Sequence, residues 1–155
     1  MSFAALSVKG RALRYLAQRE HSRAELQRKL ARHVQGSDDP SAPAQIAAAL
    51  DQLAAAGLLS DERAADAVLC SQGRKFGVRR LKQVLQSKGL DADLVSTTLL
   101  QARATELERA REVWRRRFGV PAADAADRAR QMRFLAGRGF DGDVIRRVVQ
   151  GTDDD

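Results

Sequence analysis

Apolar residues along this chain return every three or four positions, in blocks separated by glycine, proline and short polar runs. That spacing follows the turn of an α-helix, and almost no stretch alternates as a half-buried strand would. The first block predicts a helix from Arg11 to Arg19 presenting Leu13 and Leu16. In HSRAEL, Ser22 and Glu25 then form a capping box: the serine hydroxyl accepts from the third helical N–H, and the glutamate reaches back to the cap's own N–H. The helix it starts runs to about His33, with Leu26 and Leu30 on its buried face. The polar run QGSDDPSAP, with Pro40 and Pro43, predicts a loop. From Ala44 onward, Ile46, Leu50 and Leu53 mark a third helix that Gly57 ends.

The plan then recurs. SDERAADAVLCSQ predicts a helix capped by Ser60 or Asp61 and ending near Gly73, and a second helix runs from about Val78 to Lys88 with Leu81, Val84 and Leu85 inward. Gly89 stops it, and Asp91 caps the next. A third round begins near Arg103. Because no glycine or proline interrupts residues 91–118, one nearly continuous helix is expected there, in preference to a restart at Thr105 with Glu108 completing a capping box.

Self-similarity supports the same division. LQSKGLDADLV at 85–95 matches LAGRGFDGDVI at 135–145, Lys88 becoming Arg138 and Leu90 becoming Phe140. ERAADAV at 62–68 matches ERAREVW at 108–114, and Leu26 and Leu30 align with Leu81 and Leu85 at an offset of 55 that also places Leu13 on Val68 and Arg19 on Arg74. The triplet Phe-Gly-Val at 76–78 and 118–120 fits none of these offsets and reads as coincidence. The repeated turn is a helix stop, a tight bend, an apolar plug and a helix start. Asp91, Asp93, Asp141 and Asp143 therefore read as caps, not catalytic acids. A three-helix unit of this size cannot bury enough surface alone and gains stability by stacking. The expected fold is all-α: three tandem three-helix repeats, over 8–57, 58–102 and 103–150, forming a short curved, elongated solenoid, with an acidic tail at 151–155.

With 44% hydrophobic and 30% charged residues the chain is too apolar for disorder, and no apolar run approaches the ~18 residues of a membrane span. The first twenty residues lack the pattern of a secretory signal, and Cys70 is the only cysteine, so no intrachain disulfide can form. A soluble, cytoplasmic protein and a monomer is expected, with no membrane partner and with Cys70 packed in a core.

The net charge of +7 suggests an acidic partner, either nucleic acid or protein. The positive excess is three, two and two charges over residues 1–60, 61–102 and 103–155, so it is spread along the chain. Enzyme chemistry finds no foothold. His21 and His33 lack metal-ligand spacing, no glycine-rich phosphate loop is present, and neither a cofactor nor a catalytic site is expected. Trp114 and Phe118, four apart, are expected in the core.

What remains is cationic. No acid lies between Asp66 and Asp91, an interval holding Arg74, Lys75, Arg79, Arg80, Lys82 and Lys88. Arg23, Arg28, Lys29 and Arg32 decorate the matching helix of the first repeat, and Arg115, Arg116 and Arg117 crowd a helix end in the third. Save for Lys88, these are the candidate contacts to a partner or to the backbone of single- or double-stranded DNA. A base-reading helix-turn-helix is the rival. Of its candidate recognition helices, AQIAAALDQLAAA and DADLVSTTLL carry no Lys or Arg, and only DGDVIRRVVQ does, which favours backbone or protein contact over sequence reading.

Three segments go beyond generic helix chemistry: ALRYLAQREHSRAELQRKL at 12–30, GLLSDERAADAV at 57–68 and GVRRLKQVLQSKGL at 77–90. Together they resemble the RecX family, regulators of the RecA recombinase, over about residues 11–100; beyond that only the repeat carries the likeness. One departure is Ala64, where the family commonly has an aromatic after DER. The resemblance implies an all-helical, cytoplasmic, non-enzymatic protein built of three-helix repeats. It further implies binding in the groove of the RecA–DNA filament, with inhibition of strand exchange, ATPase and coprotease activities.

Overall fold

In a computed structural model, described over residues 6–34 and 38–151, every regular element is a helix. These are α1 (Val8–Gln18), α2 (Arg23–Val34), α3 (Ala42–Ala55), α4 (Asp61–Gln72), α5 (Val78–Ser87), α6 (Ala92–Ala104), α7 (Glu106–Arg117), α8 (Ala125–Gly137) and α9 (Gly142–Gln150). The first expected loop lies partly outside the described residues, as does the acidic tail after Gly151. The chain divides into two units. Unit 1 runs to Ala65 and adds Lys88–Leu90; unit 2 holds Asp66–Ser87 and the chain from Asp91.

In unit 1, α3 packs on both α1 and α2. Its core is Ala12, Leu26, Leu30, Ile46, Leu50, Leu53 and Leu59, with Val8, Tyr15, Leu16 and Val34 against it. Ala12, not Leu13, is the inward residue of α1, and Leu13 is 39% exposed. The helix begins at Val8, where the Ser7 hydroxyl accepts from Gly10 N–H, and its packed face carries Val8, Ala12, Tyr15 and Leu16. Pro43 lies in the first turn of α3, not in the loop, because a first-turn residue needs no N–H.

Unit 2 has a core of Ala110, Leu135, Phe140, Ile145, Val148 and Val149, flanked by Leu107, Val113, Trp114, Met132, Phe134 and Val144. Trp114 and Phe118 are half-buried at its edge, Trp114 donating Nε1–H to the buried Gln131 at 2.9 Å. The pair α5 and α6 buries Leu81, Leu85, Val95, Leu99 and Ala102.

Residues 91–118 form two helices, not one. At Thr105 the backbone leaves the helical region (φ −115°, ψ 5°). The Ala102 carbonyl just before the break accepts from Arg109 Nη2 at 2.7 Å. The alternative restart at Thr105 is what occurs, but without its capping box, since the Thr105 hydroxyl makes no cap bond. Cys70 is exposed, a correction to its expected core position. The last turn of α4 carries it away from the buried face of Ala64, Ala65 and Val68.

The reason for the repeated turn is visible in each unit. In unit 2 the turn Arg138-Gly139-Phe140 lies on the start of α5: Gly77 N–H donates to the Arg138 carbonyl at 2.9 Å and Arg79 N–H to the Gly139 carbonyl at 3.0 Å. Glu106 Oε1 accepts from Val78 N–H at 3.2 Å and from Asp141 N–H at 3.1 Å. In unit 1 the turn Lys88-Gly89-Leu90 meets the start of α2 in the same way, Ser22 Oγ–H donating to the Lys88 carbonyl. Asp61 Oδ1 accepts from Arg23 N–H at 2.8 Å. Ser22 and Gly77 are related by the 55-residue offset read from the sequence, as are Arg23 and Val78. Four helix-start N–H groups that would otherwise be orphaned thus find acceptors in the following repeat or its turn. Asp61 is spent on α2, which leaves Ser60 to cap α4 through Arg63 N–H at 3.2 Å.

Candidate polyanion-binding site

The Ser22–Glu25 capping box forms as the sequence predicts, each side chain accepting the other's N–H at 3.1 Å. Glu25 does more. It also takes Arg19 at 2.8 Å and Lys88 at 3.3 Å, which ties two cations to the start of α2. Burial raises the carboxyl pKa, but the hydrogen bonds from Arg19 and Ser22 N–H and the nearby Lys88 charge outweigh it and hold it at about 2. Asp91 caps α6 through Asp93 and Leu94 N–H, whereas the Asp141 carboxylate leaves its capping role and pairs with Arg79 at 3.3 Å.

Three of the four cations expected on unit 1 have local partners. Arg23 pairs with Asp51 at 2.6 Å, and Arg28 Nε bonds the Ala24 carbonyl. The Lys29 ammonium turns inward, 2.9 Å from His21 Nε2 and 4.7 Å from the centre of the Tyr15 ring. Arg32 is exposed. Since ammonium only donates, His21 accepts at Nε2 and carries its proton on Nδ1, which donates to the Arg19 carbonyl at 3.0 Å. Burial, with the charges of Arg19 and Lys29 against it, lowers the pKa of this histidine.

Unit 2 gathers charge that is only partly paired. Arg74 and Lys75 after α4, Arg116 and Arg117 at the end of α7, and Arg138 in the α8–α9 turn line one cleft of about 370 Å³, with Val113 and Phe134 as its apolar floor. The sequence places these cations far apart; the fold brings them together. Arg115 and Arg116 share Glu112. Among the described residues, Arg74, Lys75, Arg80, Lys82, Arg117 and Arg138 have no carboxylate at ion-pairing distance.

The guanidinium groups stack against phenylalanine rings in an alternating row. Arg80 lies 4.5 Å and Arg138 5.7 Å from the centre of Phe76. Arg138 and Arg117 lie 5.2 and 5.5 Å from Phe134. Arg117 and Arg130 lie 5.4 and 5.3 Å from Phe118, which itself meets Phe134 edge to face. A guanidinium placed over a ring loses less side-chain freedom when another acceptor arrives. Such a row suits a polyanion.

Arg109 sets one wall of the cleft, and the sequence reading missed it. Its Nη1 donates to the Gly73 and Phe76 carbonyls and its Nη2 to the Ala102 carbonyl, each at 2.7 Å, while Nε meets Thr105 Oγ at 3.1 Å. Desolvation lowers its pKa against the opposing charge of Glu106, and the negative ends of α4 and α6 converge on it. It thereby pins the turn that displays Arg74, Lys75 and Phe76. Arg138 had a readable signal, as the counterpart of Lys88 in the repeated turn. Phe76 and Phe134 had none. Among the described residues, no three His, Cys, Asp or Glu side chains gather as metal ligands would, and no helix is long and apolar enough to cross a membrane.

Comparison with known proteins agrees with the architecture. The family model for the first three-helix domain of RecX matches residues 9–34, and that for the third matches residues 104–149, where the sequence alone carried only the repeat. The regulatory protein RecX of Leptothrix cholodnii is 55% identical over 148 residues, covering 96% of this chain and 90% of that protein. Those of Ralstonia nicotianae and Chromobacterium violaceum are 45% and 46% identical, each covering 96% of this chain and 89% and 93% of their own. The crystal structure of RecX from Lactobacillus salivarius superposes with a TM-score of 0.72 at 19% identity, covering 93% of both chains.

Proposed function

The chain belongs to the RecX family of regulatory proteins, and from that premise we propose that it restrains the RecA recombinase by binding the groove of the RecA–DNA filament through the cationic cleft of unit 2. Bound there, it suppresses strand exchange, ATPase and coprotease activities without chemistry of its own, acting in the cytoplasm as a monomer. The observation that carries this reading is the convergence of Arg74, Lys75, Arg116, Arg117 and Arg138 on one cleft. Concentrating like charge costs stability unless a partner neutralises it, and a nucleoprotein filament offers phosphates and carboxylates in plenty.

A helix-turn-helix DNA protein is the alternative. Its reading helix would be α9, where Arg146 is paired with Asp143. A DNA-reading helix needs donors available to base edges, so α9 is poorly equipped. The deciding experiment is a parallel titration of bare single-stranded DNA and preformed RecA filament with a variant carrying Arg74→Glu, Lys75→Glu and Arg117→Glu. The expected result is a folded protein that no longer inhibits the DNA-dependent ATPase of RecA. Undiminished inhibition by that variant would sink the cleft as the contact surface.

A further inference from the structure

Unit 1 contains a smaller recess, of about 190 Å³, between α1 and α2, lined by Leu6, Arg11, Arg14, Tyr15, Gln18 and His33. Arg11 and Arg14 stand one turn apart on a helix that contains no acid. Among the described residues neither has a carboxylate at ion-pairing distance. Arg11 Nη1 lies 3.3 Å from His33 Nδ1, and His33 Nε2 lies 2.9 Å from the Tyr15 hydroxyl. A guanidinium only donates, so His33 accepts at Nδ1, carries its proton on Nε2 and donates to the Tyr15 oxygen. The hydroxyl hydrogen of Tyr15 remains available to the recess. Behind the Tyr15 ring sits the Lys29 ammonium, 4.7 Å from its centre. Burial first, and then the charge of Arg19, lowers the Lys29 pKa, as expected where positive charge is crowded.

The recess therefore presents donors from Arg11, Arg14, Tyr15 and Gln18 in a positive field with no resident acid. We propose that it is a phosphate-binding site. A tetrahedral phosphate has oxygens in several directions and so engages two guanidinium groups and a hydroxyl together, where a planar carboxylate satisfies one fork. The phosphate can be a monoester, as at the end of a nucleic acid, or a backbone diester; the chemistry recognised is the same. This inference is independent of the cleft in unit 2.

The test uses the full chain and inorganic phosphate, with chloride holding ionic strength constant. Because the protein has two histidines and one tyrosine, the ring signals of His33 and Tyr15 can be followed individually by NMR. A saturable, one-site shift of both is expected. Arg14→Gln, at an exposed position outside the Arg11–His33–Tyr15 hydrogen bonds, should weaken it about tenfold, the effect of removing one charge-assisted hydrogen bond. A linear drift equal to that in chloride, or an Arg14→Gln protein that titrates like the parent, would overturn the proposal. Two further arms use one short oligonucleotide with a 5′-phosphate and with a 5′-hydroxyl. A response to the first alone assigns the site to a monoester end, and an equal response to both assigns it to the backbone. Silence of His33 with both oligonucleotides and with inorganic phosphate refutes it.

Discussion

Gly77 lies directly beneath Phe140: a Cβ added to Gly77 would stand 2.3 Å from the Phe140 Cα and 2.4 Å from its nitrogen. The contact is backbone on backbone, so no side chain can swing aside. Gly77→Ala should cost several kcal/mol, on the order of an overpacked core, because α5 and the Arg138–Phe140 turn must separate. Gly142, in the first turn of α9 with nothing within 4 Å of its added Cβ, is the control. Gly142→Ala should gain up to about 1 kcal/mol from helix propensity. Chemical denaturation of the two variants decides: equal stabilities would refute the docking role assigned to the turn.

Acid should loosen unit 1 in two stages. His21 has a folded pKa below its ordinary 6.5, so the stability present above that pH is lost as pH falls past it and the unfolded chain takes up the proton first. Glu25 is depressed from 4.5 to about 2, so its contribution is present above pH 4.5 and disappears on the way down to pH 2. The shift corresponds to about 3 kcal/mol at most. Glu25→Gln should therefore be less stable than the parent at pH 7 and lose less on acidification. Urea midpoints across pH 7 to 2 would show parallel curves if Glu25 were not the group responsible.

Arg109→Lys keeps the charge and loses the fork. One ammonium cannot reach the Gly73, Phe76 and Ala102 carbonyls from the same point, and a buried carbonyl left unpaired costs about 1–3 kcal/mol. Melting should fall accordingly. Combined with Arg74→Gln and Lys75→Gln, the substitution should add little further loss of filament binding if Arg109 acts through the wall that carries them. Full additivity would show that Arg109 contributes to binding independently of the turn it pins.

Cys70 should react with a dithio-nitrobenzoate reagent in the native protein, without denaturant and at one equivalent, because its side chain is exposed. Protection until unfolding would place it back in a core.

Much of this protein was determined by its sequence. Helix period, glycine stops and aspartate or serine caps act within a few residues of one another, so most helices after α1 and the repeated turn could be read directly; Gly57, Gly89 and Gly139 all adopt the positive φ that their positions imply. The same local logic failed where a distant group competed. Thr105 breaks the helix expected over 91–118 beside the carbonyl that Arg109 claims, Asp61 caps α2 instead of its own helix, and the Asp141 carboxylate answers Arg79. The candidate site shows the same split. Arg74, Lys75, Arg116 and Arg117 were visible as charge, since an acid-free stretch and a run of arginines need no fold to be noticed. That they share one cleft with Arg138, over rings of Phe76 and Phe134, was decided only by packing α7 and α8 against the turn after α4. Charge is a property of composition, but the distance between charges belongs to the tertiary structure, because residues 74, 117 and 138 meet only after the cores that carry them have formed.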